Sequence, residues 1–215
     1  MEYTTIRHFF VTVLWTGSLG MALCAGPAIA GGGSVLPATA KPLGTSLADA
    51  AEAFGVFFEA QNDLAFLPAT RFQILFVDRT TGTNTFHVQT GTKFFVPVLF
   101  VNDLPDSSGA MRGDFPEDAS TVGEYFFSAQ QLGGHAIEIE VDGKVTELGP
   151  DYAAGPVTIP GALFEVEDFH HVHIGAFLPP LSKGTHMVKI RAIVDGAALE
   201  GGVFAFEIAY TVIVH

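Results

Sequence analysis

The stretch "HAIEIEVDGKVTEL", residues 135–148, decides the fold. Ile137, Ile139 and Val141 fall on one side of an extended chain, and Glu138, Glu140 and Asp142 on the other. A period of two with one apolar and one charged face belongs to a strand that covers a core on one side and meets water on the other. Asp142-Gly143 then supplies the two residues of a tight hairpin turn into "KVTEL".

The same rhythm extends outward in both directions. "RFQILFVD" (71–78) sets Phe72, Ile74 and Phe76 on one side, and the closing "VFAFEIAYTVIVH" (203–215) does so with Phe204, Phe206, Ile208, Tyr210, Val212 and Val214. "NTFHVQTGTKFFVPVLFV" (84–101) reads as a hairpin about Gly91. Its second arm, Phe94 to Val101, is apolar on both faces, as befits a strand inside a sandwich or under a covering helix. Pro97 lacks an amide hydrogen, so an edge or a bulge is expected there. "VGEYFFSAQQL" (122–132) reads as a helical turn, and 149–166 as loop with one extended piece.

One segment departs from this pattern. "SLADAAEAFGVFFEA" (46–60) places Leu47, Ala50, Ala51, Phe54, Phe57 and Phe58 on one helical face, with Ser46 as N-cap and Asp49 in the first turn. Short alternating strands between Gly, Pro and Asp turns, plus one helix, predict an all-β antiparallel sandwich, Ig-like or jelly-roll-like, with one short N-terminal amphipathic helix. There is no internal repeat and no phosphate-binding glycine loop.

The first 30 residues carry a different signal. Arg7 and His8 precede the apolar run "FFVTVLWTGSLGMALCAGPAIA", which ends in Ala28-Ile29-Ala30. A basic start, a short apolar stretch and small residues at a cut site are the marks of a secretory signal peptide. The expected organisation is therefore a signal peptide over 1–30, a flexible Gly/Pro-rich leader over 31–45 and a single sandwich domain over 46–215. The chain is expected to be secreted, or to lie in the periplasm or cell envelope, with no stable membrane insertion after cleavage. Cys24, the one cysteine, is lost on that cut, which leaves neither disulfides nor a thiol nucleophile.

Composition narrows function further. The formal net charge is −13, with only 10 Lys and Arg. A nucleic-acid surface needs clustered cations to displace counterions, and none is clustered here. No serine sits in a G-x-S-x-G elbow. Carboxylates for glycoside cleavage would have to come from Glu138, Glu140, Glu165 or Glu167, and the first two read as a solvated strand face. The acidic loop from Asp103 to Asp118 lacks the regular spacing of a calcium loop. No catalytic set emerges.

Histidine supplies the candidate site. "FHHVHIGAFLPPLSKGTH" (169–186) holds four of eight histidines. On a strand, His170 falls with Val172, Ile174, Ala176 and Leu178, and His171 and His173 fall together on the other face. Two imidazoles at i and i+2, about 6–7 Å apart at Cα, can converge on one divalent ion if a third ligand joins. His135, His186 and Glu167 are candidates for it, with His87, Glu165 and Asp168 behind them. The competing reading places His171 and His173 on a partly exposed sheet face beside Phe169 and Phe177, without a ligand. His186 opens a strand and reads as a brace for the turn before it.

"TFHVQTGTKFFVPVLFVND", "IEIEVDGK", "PLSKGTHMVKIRAIV" and "FEIAYTVIVH" occur in that order. Together they resemble an uncharacterised family of secreted bacterial β-sandwich proteins, with a G-T-x-x-x-x-P hairpin, a V-D-G turn, a P-L-S-x-G-T-H turn and a terminal Y-T-V-x-V strand. The resemblance implies the fold and secretion, and no catalytic residues. The expected function is a non-catalytic binding module acting on a glycan, an envelope protein or a small ligand. A metal-binding protein or metalloenzyme built on His171 and His173, and a structural or assembly module, are the alternatives.

Overall fold

The computed structural model describes residues 35–78, 82–104 and 114–215. The expected signal peptide and the middle of the acidic loop lie outside them.

In chain order the elements are α1 (Leu47–Glu59), β1 (Gln73–Ile74), β2 (Thr85–Val88), β3 (Phe94–Asn102), α2 (Val122–Phe127), β4 (Gly134–Val141), β5 (Lys144–Glu147), β6 (Ala153–Ile159), β7 (Phe169–Leu178), β8 (Gly184–Val194) and β9 (Phe204–Val214). The strands make two sheets, one ordered β1-β3-β7-β6 and the other β2-β9-β8-β4-β5. The chain is thus mostly β, a two-sheet sandwich. It is not wholly antiparallel, because β1 on β3 and β2 on β9 run parallel.

The expected hairpin about Gly91 does not form. β2 joins β9 in the five-stranded sheet, and β3 joins β7 and β1 in the four-stranded one. The turn at 89–93 therefore crosses between sheets. The reason lies in the side chains: β3 is buried at Phe94 through Leu99 and needs cover on both faces, whereas Thr85 and His87 of β2 face water. Two strands with such different needs do not sit side by side on one face. Pro97 meets its expectation, since the β3–β7 register slips between Pro97 and Leu99.

The hairpin at Asp142-Gly143 does form, with Val141 opposite Lys144. Both central residues have positive φ, 50° and 83°, which the turn demands and which Asp and Gly tolerate. Asp142 has a second task. Its Oδ2 accepts from His186 Nδ1 at 2.6 Å and its Oδ1 from the Met187 amide at 2.9 Å, which ties this turn to β8.

Apolar side chains form two layers. Between the sheets lie Val96, Val98 and Val101 of β3, Val172, Ile174 and Ala176 of β7, and the inward residues of β4, β8 and β9. On the other side of the four-stranded sheet lies a phenylalanine layer: Phe54 and Phe57 of α1 against Phe72, Phe76, Phe95 and Phe177. Edge-to-face pairs such as Phe57–Phe76 (centroids 4.8 Å) and Phe72–Phe177 (5.5 Å) recur through it. Nine of the 20 phenylalanines belong to this layer, where flat rings fill the gap between a helix and a pleated sheet.

α1 begins where the sequence places it. Ser46 Oγ accepts from the Asp49 amide, and the Asp49 carboxylate accepts from the Ser46 amide at 2.8 Å, a reciprocal cap. Residues 35–45, expected as part of a flexible leader, are held against the four-stranded sheet. The Leu36 amide donates to Phe177 O at 2.8 Å, Tyr152 Oη donates to Leu36 O, and Pro42 is buried.

Docking of α1 is thus carried by aromatic burial, and the cap only fixes its start. Phe54→Ala is expected to cost about 3–5 kcal/mol in urea unfolding, and Ser46→Ala about 1 kcal/mol. Equal costs for the two would overturn this division.

Candidate functional site

His171 and His173 do share one face of β7, and that face lies under α1. Both are 2% exposed. The expectation of a partly exposed face is corrected by the helix, whose phenylalanines lie over the strand. His170, on the opposite face at the end of β7, is exposed instead.

The two buried rings have different surroundings. His171 Nε2 lies 2.6 Å from Glu59 Oε1, at the end of α1. A carboxylate only accepts, so Nε2 carries the hydrogen. Asn102, opposite His171 on β3, donates its side-chain amide to the same oxygen at 2.8 Å. The His171 ring lies nearly parallel to Phe100 and edge-on to Phe169. Gly55 makes the approach possible, because a Cβ there would lie 3.2 Å from His171 Nδ1 and 2.6 Å from Ile159 Cδ1.

His173 has neither of its ring nitrogens hydrogen-bonded. Its ring stands edge-to-face against Phe95, with centroids 5.6 Å apart. Burial away from water, with His171 nearby as a lesser cause, holds its pKa down at about 3 against an ordinary 6.5. It is neutral at any physiological pH.

The other expected ligands are not brought to this pair. His135 on β4 turns its Nδ1 to Gly133 O at 3.1 Å and lies 3.5 Å from Asp195. His186 on β8 faces acceptors with both nitrogens, Asp142 Oδ2 at 2.6 Å and Ser182 O at 2.8 Å, so it braces the turn before its strand. Glu167 is exposed in the loop before β7, as are Glu165 and Asp168, whose Oδ1 accepts from the Gly161 amide. His87 lies on β2 of the other sheet. Among the described residues, no three His, Cys, Asp or Glu side chains are grouped to hold a metal ion. The residue that does meet His171 is Glu59. A lone carboxylate closing a helix of phenylalanines was the available signal, and its distance in sequence hid the partner.

The flanking acids are also engaged. Asp103 takes the His170 amide at 2.7 Å and its Nδ1 at 2.8 Å. Asp118 takes the Ser120 hydroxyl and amide, which hold its carboxyl below the usual carboxylate range. Glu138 and Glu140 pair with Arg191 and Lys189 across the outer sheet face.

Glu59 also lines a shallow cleft of about 490 Å³ with Ala60, Gln61, Asn62 and Asp63. The chain then exposes Leu64 (51%), Phe66 (39%) and Leu67 (39%). The loop 160–168 leaves the sheet beside the same end of α1, since Ile159 abuts Gly55 and Phe169 abuts His171, and it exposes Leu163 and Val166. One end of the four-stranded sheet therefore carries a buried Glu–His–Asn cluster, an open cleft and an apolar rim.

Two outcomes follow. In unfolded chains His173 takes up a proton below about pH 6.5, while the folded protein resists until about pH 3, so stability is retained above that window and falls as pH drops through it. His173→Leu is expected to remove this acid-dependent loss and to raise stability near pH 7 by about 1–2 kcal/mol, because two unpartnered nitrogens leave the core. Destabilisation by His173→Leu at pH 7 in urea melts would mean those nitrogens are satisfied after all. Glu59→Ala, which strands the His171 and Asn102 donors, is expected to cost about 3 kcal/mol, with Glu59→Gln recovering part of it.

No protein-family model matches the chain, and no curated protein matches it. Among solved structures, the crystal structure of a cysteine protease inhibitor from Entamoeba histolytica is similar at 14% identity, over 69% of this chain and 99% of that one, with a TM-score of 0.27. A score that low carries no argument about fold or function.

Proposed function

We propose that the chain is a secreted, non-catalytic binding module of the bacterial envelope or extracellular space, built on an Ig-like or jelly-roll-like sandwich. Its partner, a glycan or an envelope protein, docks at the end of the four-stranded sheet where α1 stops. The observation that carries this is the apolar rim. Among the described residues, five of the eight exposed large apolar side chains, Leu64, Phe66, Leu67, Leu163 and Val166, sit on the two loops that leave this one end. Apolar side chains held in water beside a polar cleft are the composition of a recognition surface, with apolar anchors around a few oriented polar groups. Glu59 supplies such a group, oriented by His171 and Asn102.

The test is capture of the labelled protein by purified peptidoglycan sacculi and, in parallel, crosslinking to envelope proteins. Leu64→Asp/Phe66→Asp is expected to leave the melting temperature unchanged and to weaken capture roughly tenfold or more, as loss of an interface anchor does. No capture by the native protein in either arm, or equal capture by the variant, would reject the reading.

One observation favours a second reading, a divalent metal held by the His171 and His173 pair, with no third His, Cys, Asp or Glu grouped with them among the described residues. The two unpartnered nitrogens of His173 are the kind of buried polar group that a bound ion would satisfy. Elemental analysis for zinc, copper, nickel and manganese on the untagged protein decides it. Stoichiometric metal that disappears in His171→Ala/His173→Ala supports it, and metal retained in that variant ends it.

A further inference from the structure

The other end of the sandwich carries a histidine pair that the binding reading does not use. His87 of β2 and His215, just past β9, both face solvent. The parallel register sets Val88 opposite Val214, which leaves His87 and His215 as diagonal neighbours on the outer face. Their facing ring nitrogens, His87 Nδ1 and His215 Nε2, are 3.2 Å apart. The rings are within 7° of parallel, with centroids at 5.4 Å. A centroid distance only about two ring radii longer than the nitrogen separation means the rings lie nearly end to end, each nitrogen pointing at the other.

From this geometry we infer that His87 and His215 form a two-histidine chelate for a zinc-class divalent cation, open to solvent on its remaining coordination positions. Two nitrogens at 3.2 Å, each about 2.0–2.1 Å from a shared ion, subtend an angle of about 100° at the metal, near the tetrahedral value. The ion sits on the solvent side of the line between the nitrogens, and a modest turn of each exposed ring directs both lone pairs to it. In the free protein one of these nitrogens donates to the other. On binding, that hydrogen passes through solvent to the outer nitrogen of its own ring, so both rings stay neutral and the metal meets two free lone pairs.

The site is built in advance by the backbone. His215 N donates to Val88 O at 2.9 Å, and His215 O accepts from the Thr90 amide at 3.2 Å and from Thr90 Oγ1 at 2.7 Å. The turn that carries β2 over to the other sheet therefore clamps the residue whose ring must be held. A ligand pair ordered before binding loses less entropy on binding. The chain's net charge of −13 adds a long-range attraction for cations. The neighbouring inward residues Phe86, Val88, Val212 and Val214 pack into the core, which anchors the strand ends that carry the pair.

Zinc binding to the full-length, untagged protein near neutral pH, read by isothermal titration calorimetry and by thermal melting, tests the inference. One saturable site is expected, with a melting temperature that rises with free zinc because only the folded state presents the pair. Cobalt is expected to bind more weakly, following the usual order of divalent ions. His87→Asn keeps a hydrogen-bonding group beside His215 and removes the ligand; it is expected to melt like the native protein without zinc and to lose affinity roughly tenfold or more. His215→Ala is expected to lose as much, and the double variant no more than either, because one imidazole is no chelate. His171→Ala/His173→Ala is expected to bind zinc as the native protein does. Absence of a saturable site, native-like affinity in His87→Asn, or loss of the site only in the His171/His173 variant would each overturn the assignment.

Discussion

The four-stranded sheet is apolar on both faces, and most of the molecule answers that constraint. β3 and β7 carry large apolar side chains up and down without a wet side. The five-stranded sheet covers one face, and α1 must cover the other. The capped helix, its phenylalanine stripe and the strapped segment before it all serve to close that second face. Without α1, the face bearing Phe95, Phe177, His171 and His173 would stand in water as an exposed apolar patch, which soluble monomers rarely tolerate.

Burial of that face sets the chemistry of the histidines. A neutral imidazole carries one donor and one acceptor, and both must find partners when water is excluded. His171 finds Glu59, and through it Asn102, at the margin where α1 ends and the sheet meets solvent. His173, two residues deeper, finds only the ring of Phe95. The contrast comes from depth alone. A polar network is possible where a helix end and a strand end meet, and none is possible in the middle of a phenylalanine layer.

Two histidines outside this layer, His170 and His186, are paired with acceptors close to the surface. His170 with Asp103, and His186 with Asp142, each join two segments far apart in sequence. Such pairs act as staples between strand ends and turns in a chain that, on the signal-peptide reading, keeps no cysteine. The polar margin at the end of α1 differs from them in standing beside an open cleft and exposed apolar side chains. That difference is what the docking proposal rests on.

Much of this was legible in the amino-acid order. Alternation at Ile137–Val141 and the Asp142-Gly143 turn follow from local stereochemistry. So do the Ser46 cap, the helix after it and the bulge at Pro97. The pairing of His171 with His173 on one face follows from the two-residue period of any strand. Which face that would be did not follow, because period says only that two sides differ, not what covers each. The same gap misplaced the turn at Gly91, since a permissive glycine permits a reversal within a sheet or between sheets equally well. Glu59 and His171, 112 residues apart, and His87 and His215, 128 apart, meet only through packing of sheet on helix and strand on strand. Local sequence determined the elements and their faces; the tertiary structure alone decided which faces went dry and which distant side chains met, because burial is a property of the whole assembly of layers and not of any one strand.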